Sequence, residues 1–348
     1  MMQKKMRVFH GLVNYGTQAG FFAKELQHRG IKAQSVTGYD PFGRITDITL
    51  KNSGRNIFGK LYNFIWNSLY KIKCFYSFNV FHFYFGNTLG RYQLDLPFYH
   101  IFGKKVVFHY LGFDVQLYQY SNEKYEINNV RFVFDDKSGR KHDKIITKRL
   151  KFETRFADLQ MVCAPCYSEF VSGSFVLPLA IDLNAYKYSP KLNTSEVITI
   201  MHAPTSHNNK GTSFIINAIN QLCNEGYKIN MLLVENISHQ ELKEKYKECD
   251  IFVDQIVGGW YGTASIEAMA IGRPTVCFLR ESYFEYIDFG PSIPIINADP
   301  TTIYEVLKKL IEKKEELPLM GEKSRRFVEE VHDLKKLTNK LVQIYESL

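Results

Sequence analysis

Apolar positions in this chain form short runs, and between the runs they recur with helical period. Met6–Leu12 reads as a strand. Ala19, Phe22, Ala23 and Leu26 fall at i, i+3, i+4 and i+7, one face of a helix that Gly30 closes, and Ala33–Thr37 reads as the next strand. Strand, helix, strand in that order predict a parallel βαβ unit. Asn79–Phe85, Lys105–Tyr110 and Ala157–Val162 are further runs of strand length. Residues 121–149 interrupt them: polar and charged, with Asp135, Asp136 and Gly139, they read as a mobile excursion on the first domain.

The second half repeats the alternation more cleanly. Val197–Met201, Ile229–Val234, Asp250–Val253 and Pro274–Phe278 read as strands. Between them lie a helix with Phe214, Ile215, Ala218, Ile219 and Leu222 on one face, a polar helix Gln240–Tyr246, and a helix Ala264–Ile271. A βαβαβαβ run predicts a doubly wound parallel sheet. The boundary falls in the polar stretch Asp182–Ser195, which contains Pro190, Asn193 and Thr194. The expected domains are therefore residues 1–183 and 184–330. A last amphipathic helix over 331–348, with Leu334, Leu337, Leu341 and Ile344, is expected to return to the first domain. The fold class is α/β: two Rossmann-like, doubly wound domains facing each other across a cleft. Ligands of such sheets bind beyond the carboxyl ends of strands, so the chemistry belongs in the loops there.

Composition narrows the picture. The 348 residues suffice for two ordinary domains, and 45% apolar content lets both bury cores. No window of eighteen apolar residues predicts a membrane span, and the start reads as a strand rather than a signal peptide. The six cysteines have no framework spacing, which fits reduced thiols and a cytoplasmic location. Cys163-Ala-Pro-Cys166 has redox or half-zinc spacing, but no second pair accompanies it. Charge is asymmetric: residues 1–185 hold 25 Lys+Arg against 14 Asp+Glu, a balance of +11, and residues 186–348 hold 19 against 22, a balance of −3. The basic half predicts an anionic neighbour. No nucleic-acid module is present, so an anionic membrane or acceptor is the expectation. Arg55–Tyr76 mixes Lys60, Lys71 and Lys73 with Tyr62, Phe64, Trp66, Tyr70 and Phe75. That mixture suits a lipid interface, or a helix with its aromatic face in the core, and the core is the expected place for most of those rings.

The most informative stretch is Cys249–Cys277, CDIFVDQIVGGWYGTASIEAMAIGRPTVC. A strand ends near Asp254, and Gly258, Gly259, Trp260, Tyr261 and Gly262 form a glycine-rich loop. A helix then starts near Thr263. Unbonded amides and the dipole of a helix start suit a diphosphate. Glu267, one turn further, is placed to accept from ribose hydroxyls. Lys210 precedes another helix start in MHAPTSHNNKGT and can neutralise phosphate. Each feature alone also suits an ordinary strand–loop–helix; two in one domain favour phosphate binding.

These residues carry a resemblance. Gly262–Val276, with IEAMAIGRPTV, resembles the signature of the family-four retaining glycosyltransferases. Lys210-Gly211-Thr212, Leu177-Pro178 followed by Ile181-Asp182, and Val331-His332-Asp333 are similar to other parts of that family's pattern. The likeness runs from about 155 to 348 and more loosely from 6 to 115. It implies the GT-B fold, a UDP- or GDP-linked sugar donor, hexosyl transfer with retention, and no cofactor. It assigns Lys210 to the diphosphate and Glu267 to the ribose. The family's signature has a Glu on the donor sugar where this chain has Gly259, and an Arg before the Lys where it has Thr205, Ser206 and His207. Amides of Trp260–Thr263 are expected to replace those contacts.

On the other side, Asn14 and Gly16 end the first strand, and Gly16 would let that loop approach the donor. His82 and Gly86 follow one strand; His109, Gly112 and Asp114 follow another. These resemble acceptor-side positions, with His109 and Asp114 joining Lys210 as catalytic candidates. No Asp-x-Asp pair is present to hold a metal on the diphosphate, so metal-independent transfer is expected. The expected acceptor is a glycan or lipid-linked glycan in cell-surface polysaccharide synthesis, at the inner face of the membrane. The alternative is a catalytically silent nucleotide-sugar-binding partner.

Overall fold

The structure, a computed structural model, describes residues 5–40, 43–52, 56–191 and 195–348. Arg55, Asn193 and Thr194 lie outside them. In chain order, the first elements are β1 (Arg7–Leu12), α1 (Gln18–His28), β2 (Lys32–Thr37), β3 (Ile48–Thr49), α2 (Ile57–Ser77), β4 (Val80–Tyr84), α3 (Leu96–Ile101) and β5 (Lys105–Tyr110). Next come α4 (Tyr118–Lys124), α5 (Asp136–Glu153), β6 (Leu159–Val162), β7 (Phe175–Val176), β8 (Ile198–His202), α6 (His207–Lys210) and α7 (Thr212–Asn224). The rest are β9 (Ile229–Leu233), α8 (His239–Glu248), β10 (Ile251–Val253), α9 (Thr263–Ile271), β11 (Thr275–Cys277), β12 (Ile296–Asn297), α10 (Ile303–Glu312), α11 (Leu317–Val331) and α12 (Leu334–Ser347).

Two compact units result. One comprises residues 1–116, 144–180 and 334–348, the other residues 117–143 and 181–333. The first holds a seven-stranded sheet of order β3-β2-β1-β4-β5-β6-β7, the second a five-stranded sheet of order β12-β11-β10-β8-β9, and every ladder is parallel. Parallel sheets need both faces covered, so their strands read as nearly continuous apolar runs.

Period-2 alternation divides the first unit's core. Phe9, Phe81, Phe83 and Phe108 pack on one face with Tyr99 of α3. Val8, Val80 and Val107 pack on the other with Phe22 and Leu26 of α1 and Leu337 and Leu341 of α12. In the second unit, Ile198, Ile200, Ile251 and Val253 meet Ile215, Ile219 and Leu222 of α7.

One expectation changes. Residues 121–143 are not an excursion on the first domain. They contain the end of α4 and the start of α5, and Leu117–Asp143 belongs to the second unit, where Ile127 packs against its core. α2 turns most of its expected rings inward, though not all of its aromatic residues. Trp66, Tyr70 and Phe75 rest against the core, but Phe58, Tyr62, Phe64 and Tyr76 are exposed.

Candidate active site

β10 delivers Asp254 to the carboxyl end of its sheet, where it is 1% exposed. Its Oδ1 accepts from the Lys210 ammonium at 2.6 Å, and its Oδ2 accepts from Ser265 Oγ, also at 2.6 Å. Ser265 lies in the first turn of α9, so one carboxylate ties the lysine to that helix start. Burial alone would raise the Asp254 carboxyl, but the ammonium and the Ser265 hydroxyl hold it below its ordinary value.

Lys210 reaches this point because the chain turns sharply behind it. Gly211 has φ +76°, and a Cβ there would lie 2.7 Å from Ile256 Cγ1, so only glycine fits between α6 and α7. His202, at the end of β8, bonds the Val253 carbonyl at 2.8 Å and Thr212 Oγ1 at 2.9 Å, locking α7 to the neighbouring strand.

The glycine-rich loop Gly258–Gly262 links β10 to α9. No side chain caps α9: its N-cap is Gly262, and its first helical bond runs from Ile266 N to the Gly262 carbonyl. The amides of Thr263, Ala264 and Ser265 therefore have no helical partner and form an anion-attracting end beside the Lys210 ammonium. One turn on, Glu267 accepts from Tyr246 OH at 3.3 Å and lies 2.8 Å from His239 Nε2. The side chains of Trp260 and Tyr261 turn inward. They stack at 4.9 Å, and Tyr261 OH bonds His332 Nε2 at 3.0 Å, which leaves backbone groups for any ligand contact, although the Trp260 carbonyl already accepts from Gln255 Nε2.

Lys210, Gly262, Thr263 and Glu267 thus gather around the start of α9, with Gly259, Trp260 and Tyr261 in the loop that precedes it. The candidates of the first unit do not form a comparable site. His82 is fully buried and His109 is 1% exposed. His82 Nδ1 faces Tyr345 OH at 2.5 Å and its Nε2 faces His109 Nδ1 at 3.1 Å. Burial drives both imidazoles toward the neutral form, His109 to about 3. Neither presents a surface to an acceptor, which removes the basis for their expected acceptor-side and catalytic roles. Asp114 staples its own loop: its Oδ1 accepts from Leu111 N at 3.1 Å and Gly112 N at 2.7 Å, and burial raises its carboxyl to about 7 despite Arg149. Asn14 likewise stitches backbone, donating to the Ile45 carbonyl at 2.8 Å and accepting from Gly20 N at 3.1 Å. Gly16 takes φ +53° in the turn between them. Cys163 and Cys166 are buried, and burial pushes the Cys163 thiol far up, against redox use.

No family profile and no curated protein matches the sequence. Solved structures do match along the whole chain. Sucrose-phosphate synthase from Thermosynechococcus elongatus is 15% identical over 99% of each chain, with a TM-score of 0.62. Anabaena HepE in complex with UDP-glucose is 13% identical over 99% of this chain and 100% of its own, with a TM-score of 0.61. A glycosyltransferase from Rickettsia africae is 15% identical over 99% of each chain, with a TM-score of 0.60. The fold is GT-B.

Within this GT-B chain, four supporting residues escaped the sequence reading. Asp254 was legible as a strand end but not as the anchor of Lys210. His239 and Tyr246, which hold Glu267, lie on α8, whose polar pattern carried no sign of that role. Arg280, after β11, lies against Gly259, and its Nη1 bonds Tyr283 OH at 2.6 Å. Among the described residues, no group of three or more His, Cys, Asp or Glu side chains gathers as a metal site.

Proposed function

We propose that this protein is a retaining, metal-independent glycosyltransferase whose second unit binds a UDP- or GDP-linked hexose. The Lys210 ammonium and the amides of Thr263–Ser265 hold the diphosphate, and Glu267 takes the ribose hydroxyls. Bond breaking between the anomeric carbon and the phosphate oxygen passes through an oxocarbenium-like state. The fixed cation and amides stabilise the charge growing on the leaving diphosphate. The acceptor oxygen bonds to the same face of the anomeric carbon, and its proton passes to the departing diphosphate. The acceptor is a glycan or lipid-linked glycan of cell-surface polysaccharide synthesis, met at the inner face of the membrane.

The observation that carries the reading is the double use of Asp254, which bonds both Lys210 and Ser265 and so places a cation at an uncapped helix start. Calorimetric titration with UDP, GDP and UDP-glucose tests it. One nucleotide should bind, and both Lys210→Ala and Glu267→Ala should weaken it by about tenfold or more. Absence of nucleotide binding would remove the reading.

A second reading, a nucleotide-sugar-binding subunit without turnover, is favoured by Gly259, whose missing side-chain space is filled by the Arg280 guanidinium. Binding without release of nucleoside diphosphate in the presence of acceptor extracts would decide for it.

A further inference from the structure

α2 carries two stripes. Trp66, Tyr70, Cys74 and Phe75 lie on the side packed against the first unit's core. Phe58, Leu61, Ile65, Leu69, Ile72 and Tyr76, spaced three or four apart, run along the other side, with exposures from 48% for Ile65 to 78% for Phe58. This is an apolar seam of about five turns with no cover among the described residues, larger than the scattered apolar side chains of an ordinary surface. It continues past the helix end: Tyr76 and Phe75 meet Phe102 edge-on at 6.3 and 5.5 Å, and Phe98, Ile101 and Phe102 are themselves more than half exposed.

The charge around this seam has one sign. Residues 48–113 contain eight Lys+Arg and a single acid, Asp95, which is occupied by Thr88 Oγ1, the Gly90 amide and Tyr99 OH. Lys60 and Lys73 are exposed on α2, and the Lys51 ammonium lies over Tyr62 and Trp66 at 4.6 and 4.5 Å. A second copy of this chain would bring the same lysines against themselves around a shared apolar seam, whereas an anionic bilayer matches both the seam and the charge. No helix of the described residues is long and apolar enough to cross a membrane, so the contact is one of lying in the interface. We infer that α2, extended by α3, is a membrane-docking surface that inserts its Phe58-to-Tyr76 seam among the acyl chains of an anionic bilayer while Lys60 and Lys73 meet the headgroups. The inference rests on the first unit alone and is independent of the nucleotide site.

Flotation of the full chain with phosphatidylglycerol/phosphatidylethanolamine vesicles, and with phosphatidylcholine vesicles, tests it. The protein should float with the anionic vesicles at low salt and bind the neutral ones about tenfold or more weakly. Ile65→Glu with Leu69→Glu puts charge into the seam at exposed positions and should lower binding by about 100-fold. Lys60→Glu with Lys73→Glu should remove the preference for anionic lipid and its salt dependence. Both double variants should melt with the wild type and bind UDP equally. Three results would overturn the inference: no flotation of the wild type, flotation of the Ile65→Glu/Leu69→Glu variant equal to wild type, or a wild-type dimer in sedimentation that this variant dissolves without any vesicle binding.

Discussion

The Arg280 guanidinium stands where a side chain on Gly259 would have to go: a Cβ at Gly259 would lie 2.5 Å from Arg280 Nη1. The arginine is fixed there. Its Nη2 donates to the Ile127 carbonyl at 2.5 Å, and the guanidinium lies 3.7 Å from the centre of the Tyr125 ring. Gly259 also has φ +81°, a region side chains rarely adopt. Gly259→Ala should therefore cost about 2 kcal/mol, part backbone strain and part displacement of Arg280. In an Arg280→Ala background the displacement part vanishes, so denaturant unfolding of the four proteins should show coupling of about 0.5 kcal/mol or more. Strict additivity would mean that the contact carries no energy.

Lys210 and Asp254 are a nearly buried ion pair, and removing one partner strands the other. Lys210→Ala should destabilise the fold by about 3–5 kcal/mol at neutral pH, because the carboxylate keeps its desolvation without its cation. Asp254→Asn, which leaves Ser265 a partner and no stranded anion, should cost less. The Lys210→Ala deficit should shrink on acidification, since a lone buried Asp254 takes up a proton more readily. Melting temperatures of the two variants at neutral and mildly acidic pH read all three expectations.

Glu267 should act on binding rather than on the chemical step. Ribose contacts persist from ground state to transition state, so Glu267→Gln should raise KM by about tenfold with kcat little changed. Tyr246→Phe removes one of the groups positioning that carboxylate and should shift KM in the same direction by less. A fall in kcat alone would place Glu267 at the reacting centre instead.

The histidine row of the first unit predicts acid sensitivity. Burial lowers His10 and His109 to about 3 and His82 well below its usual value, so all three enter the folded state neutral. Below about pH 6.5 the unfolded chain gains protons that the folded one refuses, and stability falls as pH falls. Asp114 works in the opposite direction over one proton, because its carboxyl is raised to about 7. The remainder is a slope on the order of 2 kcal/mol per pH unit between about pH 6 and 4.5. Urea midpoints across that range measure it, and His10→Phe should flatten the slope by one proton's share. A flat profile would mean that the row titrates normally.

Lys105–Tyr110 was legible to the residue because a mostly apolar run of strand length, with Val106, Val107, Phe108 and Tyr110, has few alternatives in a parallel sheet. The start of α9 was legible because glycines, a strand end and a helical period meet within a few residues. The role of Asp254 was not, because it depends on a lysine 44 positions earlier. His82 and His109 read equally well as cleft residues or as core. Their burial follows from His10, His82 and His109 lying on adjacent strands beneath Tyr345 of α12, far away in the chain.

The amino-acid order by itself determined which positions share a face, where strands end, and that strands and helices alternate through two α/β domains, since periodicity and helix-terminus chemistry act over a handful of residues. Only the tertiary structure decided which faces meet the core and which meet water. Nothing in the spacing of Phe58, Ile65 and Leu69 says that they point outward, nor does the sequence of Leu117–Asp143 name the unit it packs with. Burial is a property of what arrives from elsewhere in the chain, and local pattern holds no record of the arrival.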